Sequence, residues 1–229
     1  MSAASAVRKE FGEGPLARAA ALVYSLLVVE VLLVGATAPG LLLIGLLDRD
    51  AGNLPLAAVC LLPAGPAWSA ALYAWQRRSR DLTELRPARA YWRGYRANAV
   101  DALKVWTPWL AAMTLVGTTL THRDAAGIPA WWAGLLAVLA VLSALWAANA
   151  LVIASLFSFR TADTARLAAY FLVRSPRATA GNLCVLAAAV AVVAAGAQVL
   201  PALLASLLAA TVVFNCRPMI AQIREEFTA

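Results

Sequence analysis

The stretch from Ala19 to Leu47 reads AAALVYSLLVVEVLLVGATAPGLLLIGLL, and Glu30 is its only acidic or basic residue. A helix needs about 20 mostly apolar residues to cross the hydrocarbon core of a membrane. The stretch exceeds that length and predicts a first span over residues 19–47. Ala36-Thr37-Ala38 has the small residues of a signal-peptide cleavage site. Because Pro39 follows directly and Glu30 interrupts the apolar run, we expect the span to be retained.

The composition of the whole chain agrees with a membrane protein. Of its 229 residues, 62% are hydrophobic and 14% are charged, whereas soluble domains average about 45–50% apolar and about 25% charged residues. A domain of this size still exposes much of its surface, so the excess of apolar side chains cannot be hidden in a core. This argues against a soluble enzyme, a disordered chain and a disulfide-stapled domain.

Five further apolar stretches predict five more spans, so the expected fold is an all-α, polytopic helical membrane protein. We expect residues 1–229 to form a single membrane domain. Pro201 separates the last two stretches with almost no loop, and five spans would result if that hairpin did not form. The further spans are predicted at about 54–75, 105–120, 129–157, 183–199 and 201–216.

The basic residues predict the orientation of these spans. Seventeen of the 19 Lys and Arg residues lie before span one, between spans two and three, between spans four and five, or after span six; only Arg49 and Arg123 lie elsewhere. Basic residues accumulate in cytoplasmic loops, so both termini are predicted to be cytoplasmic. With eight acidic residues, the cytoplasmic side has a net charge of +9, and the outer loops have −1. The high charge therefore indicates topology, and no nucleic-acid partner is expected.

The two longer cytoplasmic connectors, residues 77–104 and 158–182, are predicted to contain amphipathic helices. In the first, Asp81 and Glu84 fit a helix start, and Pro87 fits the first turn of a second helical piece. Such helices lie among anionic lipid headgroups or dock a cytoplasmic partner, and both alternatives stay open. The candidate residues are Arg89, Tyr91, Trp92, Arg93, Tyr95 and Arg96 in the first connector and Arg174 and Arg177 in the second.

Three segments resemble the YesL-like family of integral membrane proteins. They are Leu62-Pro63-Ala64-Gly65-Pro66-Ala67, then AYWRGYRAN at residues 90–98, and the segment 170–182 with RSPR at 174–177. The resemblance implies a bacterial plasma-membrane protein that accompanies carbohydrate-uptake transporters and polysaccharide-degrading enzymes. It implies membrane transporter subunits as partners and no catalytic residues.

Two features inside the spans are candidates for an intramembrane polar site. Glu30 lies about 12 residues beyond Arg18, or roughly 18 Å deep, where carboxylates usually mark ion or substrate paths. In the second span, Pro63, Gly65 and Pro66 interrupt the helix, and broken helices form transporter sites. The structural alternatives are a protonated carboxyl bonded to a neighbouring helix and a packing kink. Expected partners of Glu30 are Asn149, Thr114 and Thr211, and the expected cavity-lining residues are Trp68, Trp146, Asn149 and Gln198.

Catalytic and metal-binding patterns are missing from the sequence. His122 is the single histidine, and Cys60, Cys184 and Cys216 have no CxxC spacing, so we expect no metal, no cofactor and no enzyme activity. The leading hypothesis is an accessory or assembly partner of a carbohydrate uptake system. The alternative is a small transporter or channel that uses Glu30 and the Pro63–Pro66 break. A permease subunit coupled to an ATPase and a lipid-surface sensor are weaker alternatives, and the oligomeric state stays open.

Overall fold

The computed structural model describes residues 15–48, 50–78, 86–197 and 199–227. The regular secondary structure in these ranges consists of α-helices and one 3₁₀ turn. The predicted all-α class is confirmed. The predicted helix start at Asp81 and Glu84, and the predicted cavity residue Gln198, lie outside the described residues. The helices are α1 (Pro15–Leu46), α2 (Leu54–Cys60), α3 (Ala64–Gln76), α4 (Pro87–Thr121), α5 (Ala130–Leu156), α6 (Thr161–Arg174), α7 (Pro176–Ala194), α8 (Leu200–Leu203), α9 (Ala205–Asn215) and α10 (Arg217–Phe227), and the 3₁₀ turn is Ala51–Asn53.

Within the described ranges, three helices are long and apolar enough to cross a membrane: Leu16–Leu46, Ala130–Leu156 and Pro176–Ala194. Two bent pairs raise the number to five if each pair is one span: Ala51–Cys60 with Ala64–Gln76, bent by 46°, and Ala205–Asn215 with Arg217–Glu226, bent by 50°. Length and composition therefore support at most five spans, one fewer than the six predicted. The missing stretch is 105–120, where threonine, tryptophan and proline side chains lower the hydropathy.

Several predicted boundaries are wrong. The amphipathic helix predicted in the first connector and the span predicted at 105–120 are not separate. They form one continuous helix, α4, which begins at Pro87. The predicted fifth span begins at Pro176 rather than 183, since Pro at the first turn starts a helix. The predicted sixth span is divided at Leu204 into α8 and α9. Pro39 lies inside the continuous helix α1.

Helices α3 and α4 form the most extensive helix pairing and run antiparallel. Each helix offers a glycine to a large side chain of the other. A Cβ on Gly94 would lie 2.8 Å from Cβ of Tyr73, and a Cβ on Gly65 would overlap the Trp106 side chain. Small residues let helices approach closely in this way, and the pairing extends along the whole of α3.

Burial divides the bundle into two halves. We call the half that contains the C-terminal end of α3 and the N-terminal end of α4 the basic half, because Arg77, Arg86, Arg89 and Arg93 lie there. The other half is the opposite half; its described residues fall in 41–64, 111–144 and 183–204, and none of those is buried. The buried core is therefore confined almost entirely to the basic half.

Candidate functional site

Glu30 acts as the N-terminal cap of a helix from another part of the chain. The backbone N–H of Ser206, in the first turn of α9, donates to Oε2 of Glu30 at 2.7 Å. The hydroxyl of Ser206 accepts a hydrogen bond from Nε1 of Trp75 at 3.2 Å. The first N–H groups of a helix have no acceptor within it, so the carboxylate oxygen of Glu30 supplies an acceptor that the helix lacks. Glu30 thereby joins α1 to α9, and Trp75 joins α3 to the same turn.

The predicted partners of Glu30 were wrong. The hydroxyls of Thr114 and Thr211 donate to the carbonyls of Leu110 and Leu207 in their own helices. Helical threonines commonly bond the carbonyl four residues back, and spacing along a sequence cannot exclude that outcome. Oε1 of Glu30 is buried and has no hydrogen-bond partner among the described residues.

Asn149 belongs to a different polar cluster, which ties α5, α7 and α9 together. Its Oδ1 lies 4.0 Å from Sγ of Cys216, and that sulfur accepts a hydrogen bond from Nδ2 of Asn182 at 3.4 Å. Nδ2 of Asn215 donates to Oδ1 of Asn182 at 3.2 Å. A Cβ on Gly181 would lie 2.7 Å from the Asn215 amide, so the cluster is tightly packed. These contacts are those of a helix-packing cluster, and its members satisfy one another.

The predicted break in the second span is confirmed. Residues 61–63 separate α2 from α3, and Pro63 and Pro66 have no N–H to give to the carbonyls four residues before them. The side chain of Trp106 covers the break, and its Nε1 donates to the carbonyl of Leu61 at 2.9 Å. Gly65 lies directly beneath this indole. The break is therefore closed by α4.

The cavity next to the break is apolar. Its volume is about 320 Å³, and it lies between α2 and α4. Two predicted cavity residues are used elsewhere: Trp68 packs against the core, and Nε1 of Trp146 donates to the carbonyl of Ala165 at 3.0 Å. The lining residues are Pro55, Ala58, Val59, Leu62, Thr107, Leu110, Ala111 and Thr114.

The aromatic and basic residues of the first connector separate into three sets. Tyr91 is fully buried, which corrects its prediction as an exposed docking residue, and Tyr95 packs against the same core. Trp92 and Arg96 are exposed on the outward side of α4. Arg89 and Arg93 are also exposed, but they face α1 and α3. The helical spacing predicts Trp92 on the side of the tyrosines, opposite the arginines. The structure instead exposes Trp92 together with Arg96 and buries Tyr91, so this part of the prediction is wrong.

Arg174 and Arg177 lie at the junction of α6 and α7 and are both exposed. This second connector does form the predicted separate helix, α6. Its aromatic pair is divided as in the first connector, since Phe171 is buried and Tyr170 is exposed. Beside the exposed ring is a surface cavity of about 440 Å³, lined by Phe159, Asp163, Arg166, Leu167 and Tyr170.

Five arginines surround a pocket that sequence reasoning missed. The pocket has a volume of about 260 Å³ and lies between α1, α3 and α4. The sequence analysis treated the arginines of residues 77–104 as one connector surface, so the approach of Arg77 and Arg78, which follow α3, to the arginines of α4 was not expected. Its lining residues are Ser25, Val29, Tyr73, Ala74, Trp75, Arg77, Arg78, Arg86, Pro87, Arg89, Ala90 and Arg93.

Aromatic rings and helix packing fix the position of this pocket. The guanidinium carbon of Arg77 lies 4.9 Å from the ring centre of Tyr73, and that of Arg78 lies 5.5 Å from Trp75. Tyr91, which precedes the apolar part of α4, is buried in the core, and burial raises the pKa of its hydroxyl. No carboxylate of the described residues lines the pocket.

The remaining chemical candidates do not form a site. In the described ranges, no group of three or more His, Cys, Asp or Glu side chains has the arrangement of a metal centre. Cys60, Cys184 and Cys216 are free thiols. The ring of His122 is exposed and bonds the carbonyl of Thr118 in its own helix.

No family model, curated protein or solved structure matches this chain. The resemblance to YesL-like proteins therefore stays a prediction.

Proposed function

We propose that the chain is a non-catalytic, multi-pass protein of the bacterial plasma membrane that acts as an accessory or assembly partner of a carbohydrate uptake system. The observation that carries the proposal is a set of exposed aromatic and basic residues on α4 and around the α6–α7 junction. We call it the docking face and define it by Trp92, Arg96, Tyr170, Arg174 and Arg177. The carbohydrate partner comes from the YesL-like resemblance of residues 90–98 and 170–182.

The packing of α4 supports a bundle of six passages. An even number of passages leaves both termini on one side, which the basic residues predict to be the cytoplasm. Nδ2 of Asn98 donates to the carbonyl of Ser155 at 2.8 Å, and Oγ of Ser143 lies 3.6 Å from Sδ of Met113. Helix α4 thus runs antiparallel to α5 through the depth at which α5 is apolar. A neighbour of a spanning helix at that depth is itself within the bilayer, even where threonine lowers its hydropathy. Arg123, in the loop after α4, pairs with Asp124 at 3.2 Å.

The docking face has the composition of a protein–protein contact. Trp92 is 48% exposed and Tyr170 is 49% exposed, and arginine and aromatic side chains are enriched in the centres of interfaces. Val173, next to Tyr170, is almost fully exposed. Single exposed apolar residues are ordinary, but two rings with adjacent arginines on neighbouring helices form a surface that a partner can cover.

Affinity capture tests the proposal. The full-length tagged protein is purified in mild detergent from bacteria grown on inducing polysaccharide, and co-purifying membrane proteins are identified by mass spectrometry. We expect a sugar permease subunit with the unmodified chain and a loss of at least fivefold with the Trp92→Ala/Arg96→Gln variant. The control is Trp131→Ala, which removes an exposed tryptophan from the opposite half. Capture of no permease, or equal loss with the control, would contradict the proposal.

A second candidate, a small transporter or channel, is favoured by one observation. Helix α9 begins inside the bundle, and its N-terminus points at the carboxyl group of Glu30, which keeps one buried oxygen without a partner in the described part of the chain. Discontinuous helices with such ends bind ions and substrates in transporters. The test is uptake of labelled sugars or cations into proteoliposomes, with Glu30→Gln against Thr211→Val. Uptake that is absent, or unchanged by Glu30→Gln, excludes this candidate.

A further inference from the structure

We propose that the pocket between α1, α3 and α4 binds a phosphate group, held by the guanidinium groups of Arg77, Arg86, Arg89 and Arg93. The site goes beyond the proposed docking function, since Arg89 and Arg93 turn towards α1 and α3 while Trp92 and Arg96 face outward. The ligand class is a phosphate ester or free phosphate. The cavity volume of about 260 Å³ exceeds the roughly 30 Å³ of a single water several times.

The charge of the pocket favours an anion. Arg77, Arg86, Arg89 and Arg93 line it, and no described carboxylate does. Among the described residues, no acidic group forms an ion pair with Arg86, Arg89 or Arg93. The connecting residues 79–85 contain Arg80, Asp81 and Glu84, and their net charge of −1 is smaller than the positive charge of these four arginines. Like charges gathered in one concave site repel one another, and a bound anion removes that repulsion.

The arrangement of the guanidinium groups is suited to phosphate in particular. A guanidinium is a planar fork with five N–H donors, and it pairs with two phosphate oxygens at once. The ring of Tyr73 supports Arg77, and the ring of Trp75 supports Arg78, which limits the freedom of both side chains. Helix α4 adds its positive N-terminal end, because the pocket borders its first two turns from Pro87 onward.

The walls of the pocket are held in place without the ligand. Gly94 brings α4 against Tyr73, with an added Cβ only 2.8 Å from the ring-bearing carbon. Ser25, Val29 and Ala74 also line the pocket. The phosphate that it binds can therefore come from a lipid headgroup or from a soluble compound, and the experiment below distinguishes the two.

Two ligand arms identify the source of the phosphate. The full-length protein is prepared in a phosphate-free maltoside detergent, and binding is measured by native mass spectrometry and by the shift of the thermal unfolding midpoint. One arm titrates phosphatidylglycerol against phosphatidylcholine in mixed micelles, and the other titrates inorganic phosphate. Preferential binding of phosphatidylglycerol assigns a lipid headgroup, and saturable binding of inorganic phosphate assigns a soluble ligand. Binding in neither arm overturns the proposal.

Matched arginine variants separate a built site from general positive charge. Arg86→Gln/Arg93→Gln removes two pocket arginines, and Arg96→Gln/Arg174→Gln removes two exposed arginines outside it. We expect the pocket variant to weaken binding about tenfold or more and the control to weaken it less than twofold. Arg93→Lys keeps the charge but loses the planar fork, and we expect about threefold weaker binding. Equal losses in both double variants, or full binding by Arg93→Lys, would overturn the site.

The phosphate-binding experiment and the permease-capture experiment test the two proposals separately. Permease capture that depends on Trp92 and Arg96, together with no phosphate binding, would remove only the phosphate site. Phosphate binding without permease capture would remove only the docking function.

Discussion

The basic half and the opposite half of the bundle differ in what their side chains contact. In the basic half, α1, α3, α4, α5 and α9 bury a common core, and the C-terminal part of α5 is buried at nearly every position. In the opposite half, α5 exposes Trp131, Leu135 and Leu139, and α2 has no buried residue. Cohesion of the fold therefore comes from one half, and the other leaves its apolar side chains to the lipid.

Residue size explains this difference. Lipid chains are as apolar as leucine, so helices in a membrane associate through close packing and hydrogen bonds. In the basic half, α3 offers the small buried residues Ala67, Ala70, Ala71 and Ala74. In the opposite half, α1 carries the exposed run Leu41-Leu42-Leu43. Small residues thus account for the close packing of α3.

The largest expected effect comes from truncating one leucine in each half of α5. Leu151 is 2% exposed and Leu142 is 47% exposed. We expect Leu151→Ala to lower the free energy of unfolding by about 2–5 kcal/mol, because it leaves a cavity, and Leu142→Ala to change it by less than about 0.5 kcal/mol. Unfolding in mixed detergent micelles measures both. Similar losses from the two variants would show that both halves are packed.

Adding a methyl group to a glycine tests the same contrast from the other direction. At Gly94 a Cβ would meet the Tyr73 side chain, whereas at Gly134 it would meet nothing within 4 Å. We expect Gly94→Ala to destabilise by about 1–3 kcal/mol through overpacking. Gly134→Ala should stabilise by about 0.5–1 kcal/mol, because alanine favours the helix. The thermal unfolding midpoints should move in opposite directions, and a parallel shift would contradict the close α3–α4 contact.

The boundary between the halves contains the Glu30 cap. We expect Glu30→Ala to destabilise by about 0.5–2 kcal/mol, the range for loss of a helix cap. Glu30→Gln keeps an oxygen that accepts a hydrogen bond from the N–H of Ser206, so this variant should lose clearly less stability. Hydrogen exchange in the first turn of α9 should rise in the alanine variant alone. Equal exchange in both variants would exclude the capping role.

The smallest expected effect concerns Tyr91, whose hydroxyl is buried without a partner among the described residues. We expect Tyr91→Phe to stabilise by about 1 kcal/mol at neutral pH, since it removes an unsatisfied polar group. Phe171, the buried aromatic residue of the second connector, already lacks a hydroxyl.

The raised pKa of the Tyr91 hydroxyl also sets a pH dependence. An unfolded tyrosine ionises near pH 10, and the folded one resists ionisation, so this contribution to stability is complete below about pH 10 and decreases above it. The free energy of unfolding of the Tyr91→Phe variant should decrease less with pH in that range. Parallel curves for the two proteins between about pH 9 and pH 11 would contradict burial of the hydroxyl.

Much of the fold followed from the sequence, because hydropathy and proline positions act locally. The all-α class and the break at Pro63–Pro66 depend on apolar length and missing N–H groups, and both were confirmed. The continuity of α4 was missed because basic and apolar residues can share one helix. The sequence changes from polar to apolar near Val105, while the backbone does not change at all.

The candidate site was harder to predict because it depends on contacts between distant residues. Counting residues predicts the depth of Glu30 in the membrane, but it could not predict the bond of Glu30 to Ser206, 176 positions away. The pocket forms where the C-terminal end of α3 meets the N-terminal end of α4. The contact of Gly94 with Tyr73 brings these ends together, and the sequence alone does not reveal it. An exposed arginine on a loop and one in a pocket look alike in a sequence.

The unbroken course of α4 has a mechanical consequence. Its contacts with α3 extend from Gly94, seven residues from Pro87, to Trp106, 15 residues from Thr121. At 1.5 Å per residue, the ends of α4 beyond these contacts are about 10 Å and about 22 Å long. A helix held by α3 at both contacts cannot pivot about either one. The arginines of α4 that line the pocket therefore lie on the short end of a helix that α3 holds at two positions.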